Sequence, residues 1–388
     1  MFKIQLLNKI ANCGLDLLPK DNYDVSADET NPDGILVRSA NMLEMELPKN
    51  LKAIARAGAG VNNIPIDRCT EQGIVVFNTP GANANGVKEL VIASLLLSSR
   101  KILQGISWSQ SLKGKGDEVP KLVEKGKSQF EGPEIKSKRI GVIGLGAIGV
   151  MVANDACSLG MEVMGYDPYI SVNAAWGLSS SVIRATSLDH LLSTCDYITI
   201  HVPFTKETKH TLNKEKFAIM KKGVRIINLA RGGLVSNEDL LEAIKDETVA
   251  CYVTDFPEEE LLGIDEVITI PHLGASTPES EENCAVMAAS QLKDYLETGM
   301  IKNSINFPDC DMLPTDKTRI ITVHANIPNM IGQMTTILAS NKINIADMLT
   351  RHKESIGYNV IDIEGELTEE IVDKIRSIVG VKTVRVIK

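Results

Sequence analysis

The sequence predicts an α/β protein with two parallel-sheet domains and a small antiparallel domain at the C-terminus. Short apolar strands alternate with helical stretches over residues 1–100, and a second series of this kind starts at Arg139. The last 70 residues run strand, helix, strand, strand, helix, strand, which is the order of a ferredoxin-like domain. A chain of 388 residues has room for two or three such domains.

Composition narrows the class of protein. Aromatic residues make up only 4 %, and glycines are numerous at 29, which suits parallel sheets with Val/Ile/Leu-rich strands. The net charge of −9, without a basic run, argues against a nucleic-acid partner. Neither a signal peptide nor a membrane span is predicted. The seven scattered cysteines indicate reduced thiols, no metal site and a cytoplasmic protein.

Changes in pattern along the chain predict the domain boundaries. Apolar residues at helical spacing predict one helix from Asn85 to about Leu103 and another from Pro278 to Gly299. A charged, Gly-rich crossing separates the two series, and the second helix returns the chain to the first domain. The expected parts are a discontinuous first domain (1–100 and 283–306), a second domain (101–282), a linker (307–317) and a C-terminal domain (318–388).

A glycine-rich loop predicts the nucleotide site. Gly144, Gly146 and Gly149 form a G-x-G-x-x-G motif directly after a strand, at the start of a helix. Such glycines give a tight turn, close approach of a pyrophosphate and close helix–strand packing. Asp167 ends the next strand and can accept hydrogen bonds from both ribose hydroxyls while repelling a 2′-phosphate. We therefore expect NAD rather than NADP.

Three further motifs follow three predicted strands and carry the chemistry needed to oxidise a 2-hydroxy acid. Arg231, before two glycines, can bind a carboxylate bidentately. His272 suits proton transfer near neutral pH. The acidic segment that begins at Asp255 can supply a carboxylate that orients the histidine. Each motif alone has an ordinary structural explanation; their conjunction predicts a catalytic site.

These motifs resemble those of the D-isomer-specific 2-hydroxyacid dehydrogenase family, over essentially the whole chain. The supporting segments are Val37-Arg38-Ser39, Arg56–Asn62, Asn78-Thr79-Pro80-Gly81 and His201-Val202-Pro203 with Thr205 and Thr208. The resemblance implies a Rossmann-type NAD-binding domain inserted in a flavodoxin-like substrate domain. It also implies an oligomer, at least a dimer formed through the nucleotide domain.

The resemblance also implies a set of site residues. Cofactor contacts are expected from Gly144, Gly146, Ala147, Ile148, Gly149, Asp167, His201, Val202, Pro203, Thr205, Thr208, Ala230, Asp255, His272 and Gly274. Substrate contacts are expected from Arg38, Ser39, Arg56, Ala59, Gly60, Asn83 and Arg231. The expected catalytic residues are Arg231, His272 as general acid/base, and Glu259 as its partner.

One part of this assignment stays open. The stretch from Asp255 to His272 is shorter than in many members of the family, and three consecutive glutamates compete for one role. Glu259 is preferred because members show Phe-Pro-x-Glu here, and Glu258 and Glu260 remain alternatives.

Within the resembled family the candidate substrates are 3-phosphoglycerate, glyoxylate or hydroxypyruvate, and lactate-like acids. The C-terminal module favours 3-phosphoglycerate, because the lactate-type and glyoxylate-type members usually lack such a module. Arg38 and Arg56 are predicted at strand ends of the first domain, where their guanidinium groups can hold the 3-phosphate of such a substrate. A salt bridge or helix-end contact is the other explanation for these arginines. Alternative functions are a glyoxylate/hydroxypyruvate reductase and a non-catalytic NAD-sensing protein.

The C-terminal domain resembles an ACT domain, in which effectors bind where two such domains pair. The resemblance places His324, Asn326 and Asn344 at that site, and family members with this spacing are often inhibited by L-serine. Asn side chains can hold both the carboxylate and the ammonium of an amino acid. They can also merely cap a helix or turn. Asn329 replaces the usual glycine after the loop proline, and we expect it to accept a left-handed backbone.

Overall fold

The computed structural model describes residues 1–387, which divide into two units. Unit 1 combines residues 1–83 with those from 278 onward, and unit 2 spans residues 84–277. Three sheets are present: a five-stranded and a seven-stranded parallel sheet, and a four-stranded antiparallel one. The predicted α/β class and the ferredoxin-like order at the C-terminus are confirmed.

The first sheet of unit 1 has the strand order β2-β1-β3-β4-β5, which is the flavodoxin-like order. Its strands, numbered in chain order, are β1 (Phe2–Leu6), β2 (Tyr23–Ser26), β3 (Gly34–Val37), β4 (Ala53–Arg56) and β5 (Val75–Phe77). Its helices are α1 (Asn12–Leu15), α2 (Ile66–Gln72) and the long α11 (Pro278–Thr298). The strands β3 and β5 are buried throughout, as expected for a parallel sheet covered on both faces.

Unit 2 is a doubly wound sheet with the order β12-β11-β10-β9-β6-β7-β8, in which every pair is parallel. Its strands are β6 (Arg139–Ile143), β7 (Glu162–Tyr166), β8 (Ile183–Arg184), β9 (Tyr197–Ile200), β10 (Val224–Asn228), β11 (Val249–Thr254) and β12 (Val267–Thr269). Its helices are α3 (Ala84–Ser99), α4 (Ile102–Ser111), α5 (Val119–Gly126), α6 (Ala147–Ser158), α7 (Val172–Gly177), α8 (Leu188–Thr194), α9 (Lys214–Ala218) and α10 (Asn237–Lys245). This is the Rossmann-type order.

The C-terminal sheet of unit 1 has the order β14-β15-β13-β16, with two helices against one face. Its elements are β13 (Thr318–Ala325), α12 (Met330–Ser340), β14 (Asn344–Lys353), β15 (Ile356–Glu364), α13 (Glu369–Arg376) and β16 (Val381–Ile387). Asn329 has a φ of 66°, so the expected left-handed backbone at this asparagine is confirmed.

The first boundary lies about 17 residues before the expected position, at 83/84 rather than 100/101. Helix α3 belongs to unit 2 because its buried Val87, Val91 and Leu95 share an apolar cluster with β6. The helix expected to run to Leu103 ends at Ser99, and α4 starts at Ile102 after a 67° bend. At this bend, the hydroxyl of Ser99 donates back to Leu95 O, a contact that competes with regular helix geometry.

The segment expected to be a linker is packed into unit 1. Phe307 and Cys310 are each 1 % exposed, and Cys310 forms a β-bridge with Ile301. They belong to one apolar cluster that also contains Tyr295 of α11 and Tyr358 of β15. The C-terminal sheet and the first sheet of unit 1 therefore share a hydrophobic core.

A helix that crosses a bilayer must be both long and apolar, and the helices within residues 1–387 differ in both respects. No single helix there is both long and apolar enough to cross a bilayer; α3 and α4, taken together across their bend, meet the criterion by length and composition only.

A buried ion pair anchors the C-terminal sheet to the end of α11. Arg319 Nε donates to Asp362 Oδ1 at 2.7 Å, and these two side chains are 5 % and 0 % exposed. Arg319 Nη1 also donates to Thr298 O and Met312 O. Its Nη2 donates to Leu313 O and Asp362 Oδ2. The acceptors around this guanidinium therefore come from three segments of unit 1: β15, the end of α11 and residues 312–313.

We expect Arg319→Ala to lower the free energy of unfolding by about 3–5 kcal/mol, because Asp362 stays buried without its counter-charge. Urea unfolding followed by circular dichroism measures the change. Lys374→Ala is the control, since Lys374 pairs with Glu370 at the surface and should contribute less than about 1 kcal/mol. Equal losses in the two variants would contradict the anchoring role.

Candidate active site

Three glycines shape the nucleotide loop in the way the motif predicts. Gly144 has a φ of 89°, and a Cβ there would lie 2.8 Å from His201 O. A Cβ on Gly149 would lie 1.9 Å from Gly144 O, so this glycine lets α6 approach β6. A Cβ on Gly146 would meet nothing within 4 Å. The open space at Gly146, at the N-terminus of α6, fits a pyrophosphate.

Asp167 follows β7 and faces the glycine-rich loop. Its Oδ2 accepts the N–H of Leu145 at 2.8 Å, and its Oδ1 accepts the N–H of Tyr169 at 2.8 Å. Ala147 and Ile148 form the first turn of α6, beside Gly149. The residues expected to bind the dinucleotide at this end of the sheet thus lie together.

The segment after β9 is a compact loop held by its own side chains. Thr208 Oγ1 donates to Pro203 O at 2.6 Å and accepts the N–H of Thr205 at 2.7 Å. The preceding His201 has its Nε2 at 2.9 Å from Thr199 Oγ1. Burial lowers the pKa of His201 to about 4, so this imidazole is neutral at physiological pH. The two threonines brace the loop in addition to any contact with a cofactor.

The turn after β10 presents Arg231. Asn228, which is 1 % exposed, donates from Nδ2 to Arg231 O at 2.9 Å and accepts the N–H of Ala230 at 3.2 Å. The guanidinium of Arg231 is exposed, and its Nη1 donates to Ala230 O at 2.7 Å. Within residues 1–387 no carboxylate forms an ion pair with it. The backbone of this turn is thus fixed by Asn228, and the guanidinium of Arg231 is available to bind an anion.

Asp255 and His272 follow the neighbouring strands β11 and β12. Asp255 is 1 % exposed, and burial raises the pKa of its carboxyl, while the charges of His272 and Arg231 and the N–H of Gly274 oppose that rise. The exposed ring of His272 lies against Phe256, with ring centroids 4.8 Å apart. Strands β10, β11 and β12 are adjacent, so Arg231, Asp255 and His272 converge at one edge of the sheet.

The three glutamates lie on the exposed segment between β11 and β12. Glu259 begins a 3-10 turn, Glu259–Leu261, and none of the three forms a hydrogen bond or ion pair with His272 among the described residues. Glu258 is directed toward the Arg231 loop, because a Cβ on Gly232 would lie 3.9 Å from Glu258 Oε1. The assignment of the histidine's partner to Glu259 stays a prediction.

In unit 1, one asparagine holds the loop that carries Arg38. Asn8 Oδ1 accepts the N–H groups of Arg38, Ser39 and Ala40 at 2.9–3.0 Å. Three consecutive N–H groups therefore converge on one oxygen. The guanidinium of Arg38 forms an ion pair with Glu281, in the first turn of α11, at 2.5 Å.

Arg56 and Asn78 hold the neighbouring loop. Arg56 Nε donates to Arg38 O at 2.9 Å, and its Nη1 donates to Gly60 O. Asn78 Nδ2 donates to Ala59 O at 2.6 Å. Arg56 thus joins the two loops that were expected to bind substrate. Asn83 lies half-buried at the end of the first segment of unit 1.

The expected effector residues lie at two ends of the C-terminal sheet. His324 is 4 % exposed and pairs with Gly357, and Asn326 Nδ2 donates to Glu354 O at 3.1 Å. Asn344 pairs with Glu364 at the opposite end of β15. Within one chain the structure therefore does not bring Asn344 together with His324 and Asn326.

Two residues of the site were missed from the sequence. Asn8 lies two residues after β1, and a polar residue just beyond a strand end is the one signal that could have identified it. Glu281 had no such signal, because its partner Arg38 is 243 residues away in sequence.

Comparisons with known proteins place these observations in a family. Residues 92–274 match the sequence model of the "D-isomer specific 2-hydroxyacid dehydrogenase, NAD binding domain". The chain is 32 % identical over 361 residues to a D-3-phosphoglycerate dehydrogenase of Haemophilus influenzae, covering 90 % of this chain and 84 % of that protein. A D-3-phosphoglycerate dehydrogenase of Methanocaldococcus jannaschii is 33 % identical over 354 residues, covering 89 % of this chain. The present chain spans only 62 % of that relative's length.

A solved structure shares the fold. The NAD+-bound 3-phosphoglycerate dehydrogenase of Entamoeba histolytica superposes with a TM-score of 0.60 at 27 % identity, over 79 % of this chain and 98 % of that one.

We expect Gly146→Ala to weaken NADH binding at least about tenfold while leaving the fold intact, because the methyl group enters the space that a pyrophosphate needs. NADH fluorescence titration measures the affinity, and the melting temperature without nucleotide reports the fold. Gly149→Ala should instead lower that melting temperature, since its Cβ would clash with Gly144 O. Gly105→Ala, in α4, is the neutral control. Unchanged NADH affinity in Gly146→Ala would contradict this placement of the nucleotide.

Proposed function

The chain belongs to the D-isomer-specific 2-hydroxyacid dehydrogenase family, and on that premise we propose that it oxidises D-3-phosphoglycerate to 3-phosphohydroxypyruvate with NAD, the first step of L-serine biosynthesis. The convergence of Arg231, Asp255 and His272 at one sheet edge supports a dehydrogenase. The names of the relatives at 32–33 % identity support the substrate. The seven free cysteines agree with a cytoplasmic location.

Each catalytic side chain has a distinct task in this proposal. Arg231 binds the substrate carboxylate and polarises the oxygen on C2. His272 takes the hydroxyl proton during oxidation and returns it in the reverse direction. Glu259 orients the His272 ring and stabilises its charged form. Bound NAD supplies the hydride acceptor.

The nucleotide preference follows from one carboxylate. Asp167 lies at the end of β7, where it can accept hydrogen bonds from the adenosine ribose. A 2′-phosphate in the same place would meet a like charge. No arginine lies within the following Pro168–Ser171 to neutralise it.

Arg38 and Arg56 are the proposed phosphate contacts in unit 1. The side chain of Arg38 is 46 % exposed. The backbone of its loop is fixed by hydrogen bonds to Asn8 and Arg56. Arg56 also donates to Gly60 O. The N–H groups of Gly60 and Ala59 are expected to bind the substrate carboxylate. Ser39 and Asn83 complete the proposed substrate contacts.

A second copy of the chain is part of the proposal for regulation. Strand β14 is an edge strand of ten residues, and antiparallel pairing with β14 of another copy would satisfy its free N–H and C=O groups. Asn344 and His352 lie near opposite ends of β14, about 25 Å apart at strand spacing. Antiparallel pairing therefore carries Asn344 of one copy toward the end where His324 and Asn326 of the other lie. We propose L-serine as the effector there, in a dimer or tetramer.

The assay that tests the function follows NADH absorbance after addition of 3-phosphoglycerate and NAD, or of 3-phosphohydroxypyruvate and NADH. Turnover with these substrates is expected. Turnover with glyoxylate or hydroxypyruvate alone would favour the reductase alternative. NADH binding without any turnover would identify a nucleotide-sensing protein.

We expect His272→Ala to lower kcat by about 10²–10⁴, the usual loss for a general acid/base. Arg231→Ala should raise KM and lower kcat together, because the arginine binds the substrate as well as the transition state. Steady-state kinetics in both directions separate the two effects. A His272→Ala enzyme within threefold of the wild-type kcat would be incompatible with the assignment.

The glutamates are distinguished by the same assay. Glu259→Gln should lower activity and shift the pH–rate profile, because the histidine loses the carboxylate that stabilises its charged form. Glu258→Gln and Glu260→Gln serve as matched controls and should keep the wild-type profile. If Glu258→Gln alone shifts it, the partner is Glu258, whose carboxylate is directed toward Gly232.

We expect millimolar L-serine to inhibit the dehydrogenase, and Asn344→Ala to abolish the inhibition while leaving basal activity unchanged. Lys374→Ala, on a helix of the same domain, is the control. Point variants are preferable to removal of the domain, because truncation before Thr318 would expose the core shared with Tyr295 and Phe307. Absence of inhibition would assign the domain a purely structural role.

A further inference from the structure

Arg38 is held on three sides by groups from three different parts of unit 1. Its N–H donates to Asn8 Oδ1, its C=O accepts from Arg56 Nε, and its guanidinium pairs with Glu281. The first two contacts fix the backbone of the loop. The third is the only one of the three that engages the charge of the side chain.

The contact with Glu281 differs from the other two in being open to solvent. Both side chains of the pair are 46 % exposed, and the contact joins Arg38 Nη2 to one carboxylate oxygen at 2.5 Å. A screened, single-contact pair of this kind changes an equilibrium constant by no more than about fivefold. A phosphate carries more charge than a carboxylate and can accept two parallel hydrogen bonds from a guanidinium. The pair is therefore weak enough for a phosphorylated ligand to replace.

We propose that Glu281 is a specificity-determining residue: its carboxylate occupies the anion position on Arg38 and competes with the phosphate of the substrate. This inference rests on the proposed function, in which Arg38 contacts that phosphate. When a phosphorylated 2-hydroxy acid binds, its phosphate replaces the carboxylate of Glu281 on the guanidinium of Arg38. A non-phosphorylated acid leaves the pair in place, so Arg38 is never left as an unpaired cation that would attract other anions.

The geometry excludes a main role in folding for this pair. The loop of Arg38 has three N–H contacts to Asn8 and a carbonyl contact to Arg56, and none of these four contacts involves Glu281. Glu281 stands in the first turn of α11, where any acidic residue is favoured by the helix dipole, and Glu279 occupies the same turn. Replacing Glu281 by glutamine is therefore expected to lower the melting temperature only slightly, since Glu279 remains in the first turn of α11.

The test compares 3-phosphoglycerate with D-glycerate, which differs from it only by the phosphate. In Glu281→Gln, we expect KM and the equilibrium Kd for 3-phosphoglycerate to fall about two- to fivefold, with kcat unchanged. The KM for D-glycerate should not change. Glu282→Gln removes the same charge from the next residue and should leave both substrates unaffected.

Arg38→Ala separates a failure of this inference from a failure of the proposed function. If Arg38→Ala weakens binding of 3-phosphoglycerate but Glu281→Gln leaves its Kd unchanged or raises it, competition by Glu281 is wrong and the phosphate contact stands. If Arg38→Ala does not weaken that binding, the phosphate contact itself is wrong, and the competition falls with it. Equal tightening of both substrates in Glu281→Gln would also overturn the inference.

Discussion

Asparagine side chains hold the turns that leave the parallel strands, and the geometry of the site depends on them. Along a parallel strand, neighbouring strands satisfy the backbone, but the first residues beyond its end lose those partners. Asn228 supplies them for the turn of Arg231, Asn8 for that of Arg38, and Asn78 for that of Ala59. An amide can donate and accept at once, so one side chain can close a turn. The charged residues are thereby left to face outward.

Positive and negative groups of unit 2 meet at one edge of its sheet, where Arg231 is exposed and the three glutamates 258–260 are exposed beside it. Arg231 has no ion pair with a described carboxylate, and the carboxyl group of Asp255, whose pKa is raised by burial, is 1 % exposed. Burial keeps His201, at the end of β9, neutral, so that it adds no competing cation. The N-terminus of α6 adds partial positive charge near the glycine-rich loop. The charge at this edge of the sheet therefore depends on which ionisable groups are buried, as well as on which residues the sequence places there.

Sequence patterns predicted the features that depend on residues close together in the chain, such as the backbone conformation of a turn or the space beside a glycine. The three glycines were identifiable because each of their positions excludes or restricts a side chain, for reasons confined to one strand, turn and helix. The same holds for Asn329, whose left-handed backbone follows from its place in a turn. Arg231, Asp255 and His272 were found because strand ends are visible in the pattern.

Features that depend on distant contacts could not be predicted. The helical spacing of Val87, Val91 and Leu95 shows that α3 is buried on one face, but not which core receives it. The prolines and charges around Phe307 suggested an exposed linker, although the apolar residues between them pack into a core. The pairing of Glu281 with Arg38 is of the same kind, since nothing in either neighbourhood identifies the other.

The core that joins the C-terminal sheet to α11 changes what counts as a cooperative unit. By sequence the chain has three domains, but Tyr295, Phe307 and Tyr358 lie in one apolar cluster, and Tyr358 donates to Gly299 O. Amide protons on both sides of that cluster should therefore exchange through the same opening reaction. A ligand that stabilises the C-terminal sheet then slows exchange in α11 as well. Ligand binding at the C-terminal sheet can therefore affect α11 by raising the stability of the core that both share, without any displacement of a linker.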